Sequence, residues 1–105
     1  MFAYVEWVWS RPGQSISSMF NFGKSAGFIE GVLTAYHIPY VLVTPQKWKG
    51  YYGLHEDKQE SIDLCRKLFP TVSLLQNNRC RKPSDGMAEA LLISAFGYKN
   101  HAKTA

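Results

Sequence analysis

Phe2-Ala3-Tyr4-Val5-Glu6-Trp7-Val8-Trp9 is an unbroken run of apolar, mostly aromatic and β-branched residues around one carboxylate. Alternate side chains of a strand point to opposite faces, and apart from Glu6 neither set here is polar. The pattern predicts a strand over Phe2–Trp9 buried on both faces, as in a parallel sheet. Glu6 is the anomaly within it. An ionised carboxylate taken out of water either neutralises or finds a cation, so a partner for Glu6 is expected from elsewhere in the chain.

Working outward, Ser10-Arg11-Pro12-Gly13-Gln14 is turn-rich, and Ser17 or Ser18 suits a helix N-cap. Met19, Phe22, Ala26, Ile29, Leu33 and Tyr36 then recur at helical spacing and predict an amphipathic helix. Gly23, Gly27 and Gly31 stand four apart on it. Each costs a helix about 1 kcal/mol relative to alanine, so the expected reason for them is close packing on another backbone. Packing onto the sheet is preferred over a membrane-type dimer face. His37-Ile38-Pro39 ends the helix, and Tyr40–Val43 is a short second strand. Strand, helix and strand in that order imply a right-handed crossover and parallel pairing.

Thr44-Pro45-Gln46-Lys47-Trp48-Lys49 leaves the carboxyl end of the second strand and is read as a loop, at the place where open α/β sheets hold ligands. Lys47 and Lys49 around Trp48 suit a phosphate backbone and a base, and equally suit a buried tryptophan between two solvated lysines. Asp57–Phe69 is a surface helix with Ile62, Leu64, Cys65 and Leu68 inside. Thr71–Leu75 fits a short strand or a helical turn, and Gln76–Lys82 is a polar loop bearing Arg79, Arg81 and Lys82. Ser84 or Asp85 caps a last helix over about Asp85 to Tyr98, followed by a polar tail, Lys99–Ala105, expected to fray. Asp85 and Glu89 are four apart on that helix, where like charges repel and a nearby cation relieves them.

At 105 residues the chain, 1–105, is expected to be a single domain, and 46% hydrophobic with 19% charged residues is a globular composition. The formal charge of +4 permits nucleic-acid binding without requiring it. Two cysteines, Cys65 and Cys80, without a secretory leader indicate a reduced, cytoplasmic protein. No CxxC occurs, and His37, His55 and His101 are scattered, which argues against zinc. No apolar run reaches the roughly 20 residues that span a bilayer, so no membrane partner is expected.

Glu6, Asp85 and Glu89 are therefore the candidate catalytic and metal-binding residues. All-oxygen ligands suit Mg²⁺ or Mn²⁺, and a pair of such ions activates water in phosphodiester hydrolysis. The alternative is structural: Asp85 caps the helix, Glu89 is solvated, and Glu6 meets a lysine or a tyrosine hydroxyl.

Val5-Glu6, then Ser10-Arg11-Pro12-Gly13-Gln14, Ser17-Ser18-Met19-Phe20 and Phe22-Gly23, then Pro39-Tyr40 to Val43-Thr44-Pro45 and Trp48-Lys49, and last Asp85-Gly86 with Ala88-Glu89-Ala90-Leu91-Leu92, follow one another in an order that resembles the RuvC-like Holliday junction resolvases, nearest in look to their phage and mobile-element branch. The resemblance covers nearly the whole chain. It implies an α/β, RNase H-like fold and cutting of branched DNA by two Mg²⁺ ions held on four acidic residues. It places Glu6 at the second acidic position and Asp85 and Glu89 at the pair on the last helix, with Lys47 and Lys49 facing DNA. In many relatives that pair is three apart, so the third position falls on Asp85 or on Gly86.

The family's first three strands, with the aspartate that bridges both ions, have no counterpart here. The expectation is a truncated RuvC-like domain, a small parallel sheet with about three helices, whose endonuclease activity is impaired because the ion pair loses its bridge. The other readings are a non-catalytic DNA-binding module using Lys47, Lys49, Arg79, Arg81 and Lys82, or an oligomeric interaction protein. A sheet of two strands also leaves Phe2–Trp9 as an exposed edge, so a homodimer or higher homo-oligomer is expected there, with Tyr4, Trp7 and Trp9 at the interface.

Overall fold

The computed structural model describes residues 1–9 and 11–104, the side chains of 102–104 excepted. Ser10, in the expected turn, and Ala105, in the expected tail, lie outside the described residues. The order of elements is β1 (Ala3–Glu6), α1 (Ile16–Ala35), β2 (Tyr40–Val43), α2 (Pro45–Tyr52), α3 (Lys58–Leu68) and α4 (Asp85–Thr104), a small α/β architecture with a two-stranded parallel sheet. The chain divides into two compact units, Met1–Thr44 and Pro45–Ala105.

In the first unit β1 runs parallel to β2 in the register Ala3 to Tyr40 through Glu6 to Val43. Two further backbone bonds, Ala3 N to Pro39 O at 3.0 Å and Trp7 N to Val43 O at 2.7 Å, extend the ladder at its ends. The expected strand over Phe2–Trp9 is thus only four residues long, and all four are half-buried rather than enclosed on both faces. The reason is that burial of both faces needs cover on both faces, and one helix in this unit cannot supply it. Trp7 and Trp9 lie beyond the strand, 50% and 45% exposed, with their rings edge to face at 5.8 Å.

The turn before α1 uses Pro12 and Gly13, the latter at φ +84°, a left-handed conformation that glycine adopts without steric cost. Arg11 N donates to Gln14 Oε1, and Gln14 N donates to Arg11 O. The helix then begins two residues earlier than the expected caps Ser17 and Ser18 allow: Ser15 is the N-cap, its hydroxyl accepting from Ser18 N at 3.1 Å. At the other end Ile38 N bonds to Leu33 O and His37 N to Thr34 O, with His37 at φ 56°. This is a Schellman stop in which a histidine takes the place usually held by glycine, and Pro39 bars continuation. Tight packing of the glycine face onto the sheet is not found. A Cβ added at Gly23, Gly27 or Gly31 would meet nothing within 4 Å.

After β2, Thr44–Lys49 is not the expected loop: α2 starts at Pro45, the first residue of the second unit, because proline's fixed φ and missing N–H suit the first helical position. Gly53, at φ +72°, closes α2 through Leu54 N to Lys49 O and Gly53 N to Gly50 O. Asp57 caps α3 by accepting from Gln59 N at 2.9 Å. Ile62 and Cys65 are buried on α3 as expected, whereas Leu68 is 43% exposed and Ser61 is buried in its stead. Residues 71–75 form neither strand nor helix. Leu74 is nonetheless buried, and its carbonyl accepts from Ser84 N at 2.7 Å.

Ser84 caps α4, its hydroxyl accepting from Met87 N. The helix continues to Thr104, past the expected end at Tyr98 and through most of the expected frayed tail, because no proline or glycine follows Gly97 to stop it. The core gathers on α3 and α4, where Ile62, Cys65, Leu74 and Ala88 form a buried cluster with Phe69 and Leu91 against it. Trp48 and Leu92 are fully buried, and Tyr52 Oη donates to Leu92 O at 2.8 Å. Burial raises the phenol pKa of Tyr52 and the thiol pKa of Cys65, which keeps that thiol protonated and unreactive. No helix among the described residues is long and apolar enough to cross a membrane.

Candidate functional site

The caps of α3 and α4 determine which charges meet. Asp57 fixes the start of α3, so Lys58 is its first residue, and Ser84 fixes the start of α4, so Asp85 is its first residue and Glu89 stands one turn on. The two helices pack together. Lys58 Nζ lies 3.2 Å from Asp85 Oδ2 and 3.2 Å from Glu89 Oε1. One ammonium therefore bridges the two carboxylates that share a helix face, and it answers the repulsion built into their spacing.

The environment grades the three groups. Lys58 and Asp85 have side chains 64% and 45% exposed, whereas Glu89 is only 15% exposed. Hydrogen bonds to Glu89 and then Asp85 raise the Lys58 pKa above its ordinary value, outweighing the desolvation that opposes them. Asp85 also lies where the positive end of the α4 dipole favours an anion.

Of the three expected metal ligands, the structure brings together Asp85 and Glu89, with Lys58 between them. Glu6 belongs to the other compact unit, where it is the last residue of β1, half-buried and paired in register with Val43, and it is not without a partner. Among the described residues no group of three or more His, Cys, Asp or Glu side chains is placed to hold a metal ion.

The expected DNA-contacting residues all belong to Pro45–Ala105. Lys47 is exposed on α2, while Lys49 is half-buried and its ammonium stands 5.6 Å from the centre of the Trp48 ring. Of the two readings left open for this segment, burial of Trp48 removes base stacking on its face. Arg79, Arg81 and Lys82 are exposed in the loop before α4, which an Asx turn shapes: Asn77 Oδ1 accepts from Arg79 N at 2.9 Å and Asn77 O from Cys80 N. Tyr4 is half-buried on β1.

Lys58 is the residue that sequence reasoning missed. The spacing of Asp85 and Glu89 called for a cation, but several lysines and arginines were equally available, and only the packing of α3 on α4 selects one. No protein-family model matches the chain, and no curated protein matches it.

Proposed function

We propose that this chain is a DNA-binding domain of RuvC-like, RNase H-like descent that recognises branched DNA. The observation that carries the reading is the division of charge. Met1–Thr44 holds Arg11 and Lys24 against Glu6 and Glu30, so the whole formal charge of +4 falls on Pro45–Ala105. On that unit Lys47, Arg79, Arg81 and Lys82 are exposed, as contacts to phosphate require.

The family resemblance supports the same reading and supplies the ligand class. By that resemblance Asp85 and Glu89 correspond to the acidic pair on the family's last helix, and in this chain Lys58 offsets part of their charge, so the start of α4 repels phosphates less than the bare pair would.

Fluorescence anisotropy with a synthetic four-way junction and a linear duplex tests the proposal. Binding is expected to weaken steeply with salt, and replacing Arg79, Arg81 and Lys82 together by alanine is expected to reduce the log–log salt slope by roughly two to three. No binding at low ionic strength would overturn it. Cutting of the junction with Mg²⁺ or Mn²⁺ by the natural chain but not by Glu6→Gln would show instead that catalysis is retained.

A further inference from the structure

Two sides of α2 have different surroundings. Trp48 is fully buried, and Tyr52, four residues on, reaches Leu92 O with its hydroxyl, so that side looks toward α4. Lys47 and Tyr51, also four apart, are both exposed and share a neighbouring side. Gly50 is exposed beside Tyr51, and a Cβ there would meet nothing within 4 Å, so the space next to the ring is open. The helix carries two lysines and no acidic residue.

Tyr51 differs from an ordinary surface tyrosine in how its ring is held. It stands nearly perpendicular to the Phe96 ring, with centroids 5.2 Å apart at 75°, and to the Tyr52 ring, 5.0 Å away at 82°. Phe96 is buried and the Tyr52 hydroxyl is hydrogen-bonded, so both supports are themselves fixed. The Tyr51 ring is nonetheless 47% exposed. Tyr98, the other exposed aromatic residue among the described residues of Pro45–Ala105, is 89% exposed and has little to hold its ring. A ring ordered beforehand loses little rotamer freedom when a ligand lies on it.

We infer that Tyr51 is the surface on which this chain stacks an unpaired DNA base, with Lys47 placed beside it for a neighbouring phosphate. This role rests on the DNA-binding reading above and names what is read in the DNA beyond its charge. Arg79, Arg81 and Lys82 suit phosphates, which duplex and single strand share. A base face is more selective. Within a duplex each base is covered by its neighbours, so a base is free to lie on a protein ring only in a gap, a flap or an opened branch point. Such stacking tolerates any sequence, because every base has a π-face. Trp48, between the two lysines, is enclosed and has no face to offer, whereas Tyr51, one turn of helix from Lys47, has one.

Fluorescence anisotropy of the full chain on a duplex with a short single-stranded gap, against the intact duplex of the same length, tests the role of Tyr51. The natural chain is expected to bind the gapped DNA more tightly. Tyr51→Leu keeps an apolar contact for Phe96 and is expected to weaken binding to the gapped DNA by about five- to a hundredfold, with the intact duplex unaffected. Its log–log salt slope should stay that of the natural chain, because no ion pair is lost. Tyr51→Phe keeps the ring and is expected to bind as the natural chain does. The fluorescence of 2-aminopurine in the gap should be quenched by the natural chain and by Tyr51→Phe, but not by Tyr51→Leu. Circular dichroism checks that each variant is folded.

Equal affinity of the natural chain for gapped and intact DNA, or no quenching by it, would overturn the inference and leave DNA binding in place. So would a Tyr51→Leu chain that loses affinity for both DNAs alike or for neither. Absence of binding to either DNA would instead remove the DNA-binding reading, and the stacked base with it.

Discussion

The residue with most to answer for is Lys58. Its ammonium joins the first turns of α3 and α4 through Asp85 and Glu89, but at 64% exposure much of the attraction is screened by water. Lys58→Met is accordingly expected to cost about 0.5–1 kcal/mol in chemical denaturation. The pH dependence has a definite sign. A lysine whose pKa is raised on folding stabilises the fold fully below the unfolded value and loses that contribution as pH climbs through the folded value, so the difference between natural chain and variant should hold up to the ordinary lysine pKa of 10.5 and disappear only as pH passes the raised folded value. Chelators are expected to leave the melting temperature unmoved, because the Lys58 ammonium already bridges this pair. The buried side chains weigh more. Trp48→Ala is expected to cost about 3–5 kcal/mol, since Trp48 is wholly enclosed and its removal leaves a cavity.

At the scale of the element, ends were harder to read than interiors. The apolar spacing of α3 was enough to set its limits, and Asp57 and Phe69 bracket it as cap residues. The start of α1 at Ser15 and the whole of α2 were misjudged, because Ser15, Ser17 and Ser18 are chemically equivalent caps and because Pro45 can open a helix as readily as a loop. His37 is the most exposed to test among these ends. It holds a left-handed φ of 56° that favours glycine, so His37→Gly is expected to stabilise the chain by about 0.5–1 kcal/mol in thermal melts. Gly53→Ala, at φ +72°, is expected to act the other way by about 1 kcal/mol.

For the molecule as a whole, the central fact is an unequal sharing of core and charge. The buried hydrophobic residues other than Val43 all belong to Pro45–Ala105, which also holds the net positive charge, while Met1–Thr44 is neutral and apolar on its surface. Resistance to local opening follows buried apolar contact, so amides of α4 should exchange with solvent far more slowly than those of α1. Hydrogen exchange followed by mass spectrometry checks this expectation.

Periodicity and turn chemistry are local properties, and from them alone the chain declares a strand, a glycine-bearing helix, a parallel second strand and two further helices, with β2 and α3 placed almost to the residue. The pairing of Asp85 with Glu89 is equally a matter of spacing along one helix. What the fold alone decided is which distant groups meet: that Lys58 lies between those carboxylates, that Trp48 is enclosed rather than offered to a ligand, and that the glycines of α1 face open space. Each depends on how one element packs against another, and long-range packing is not written in any single stretch of residues.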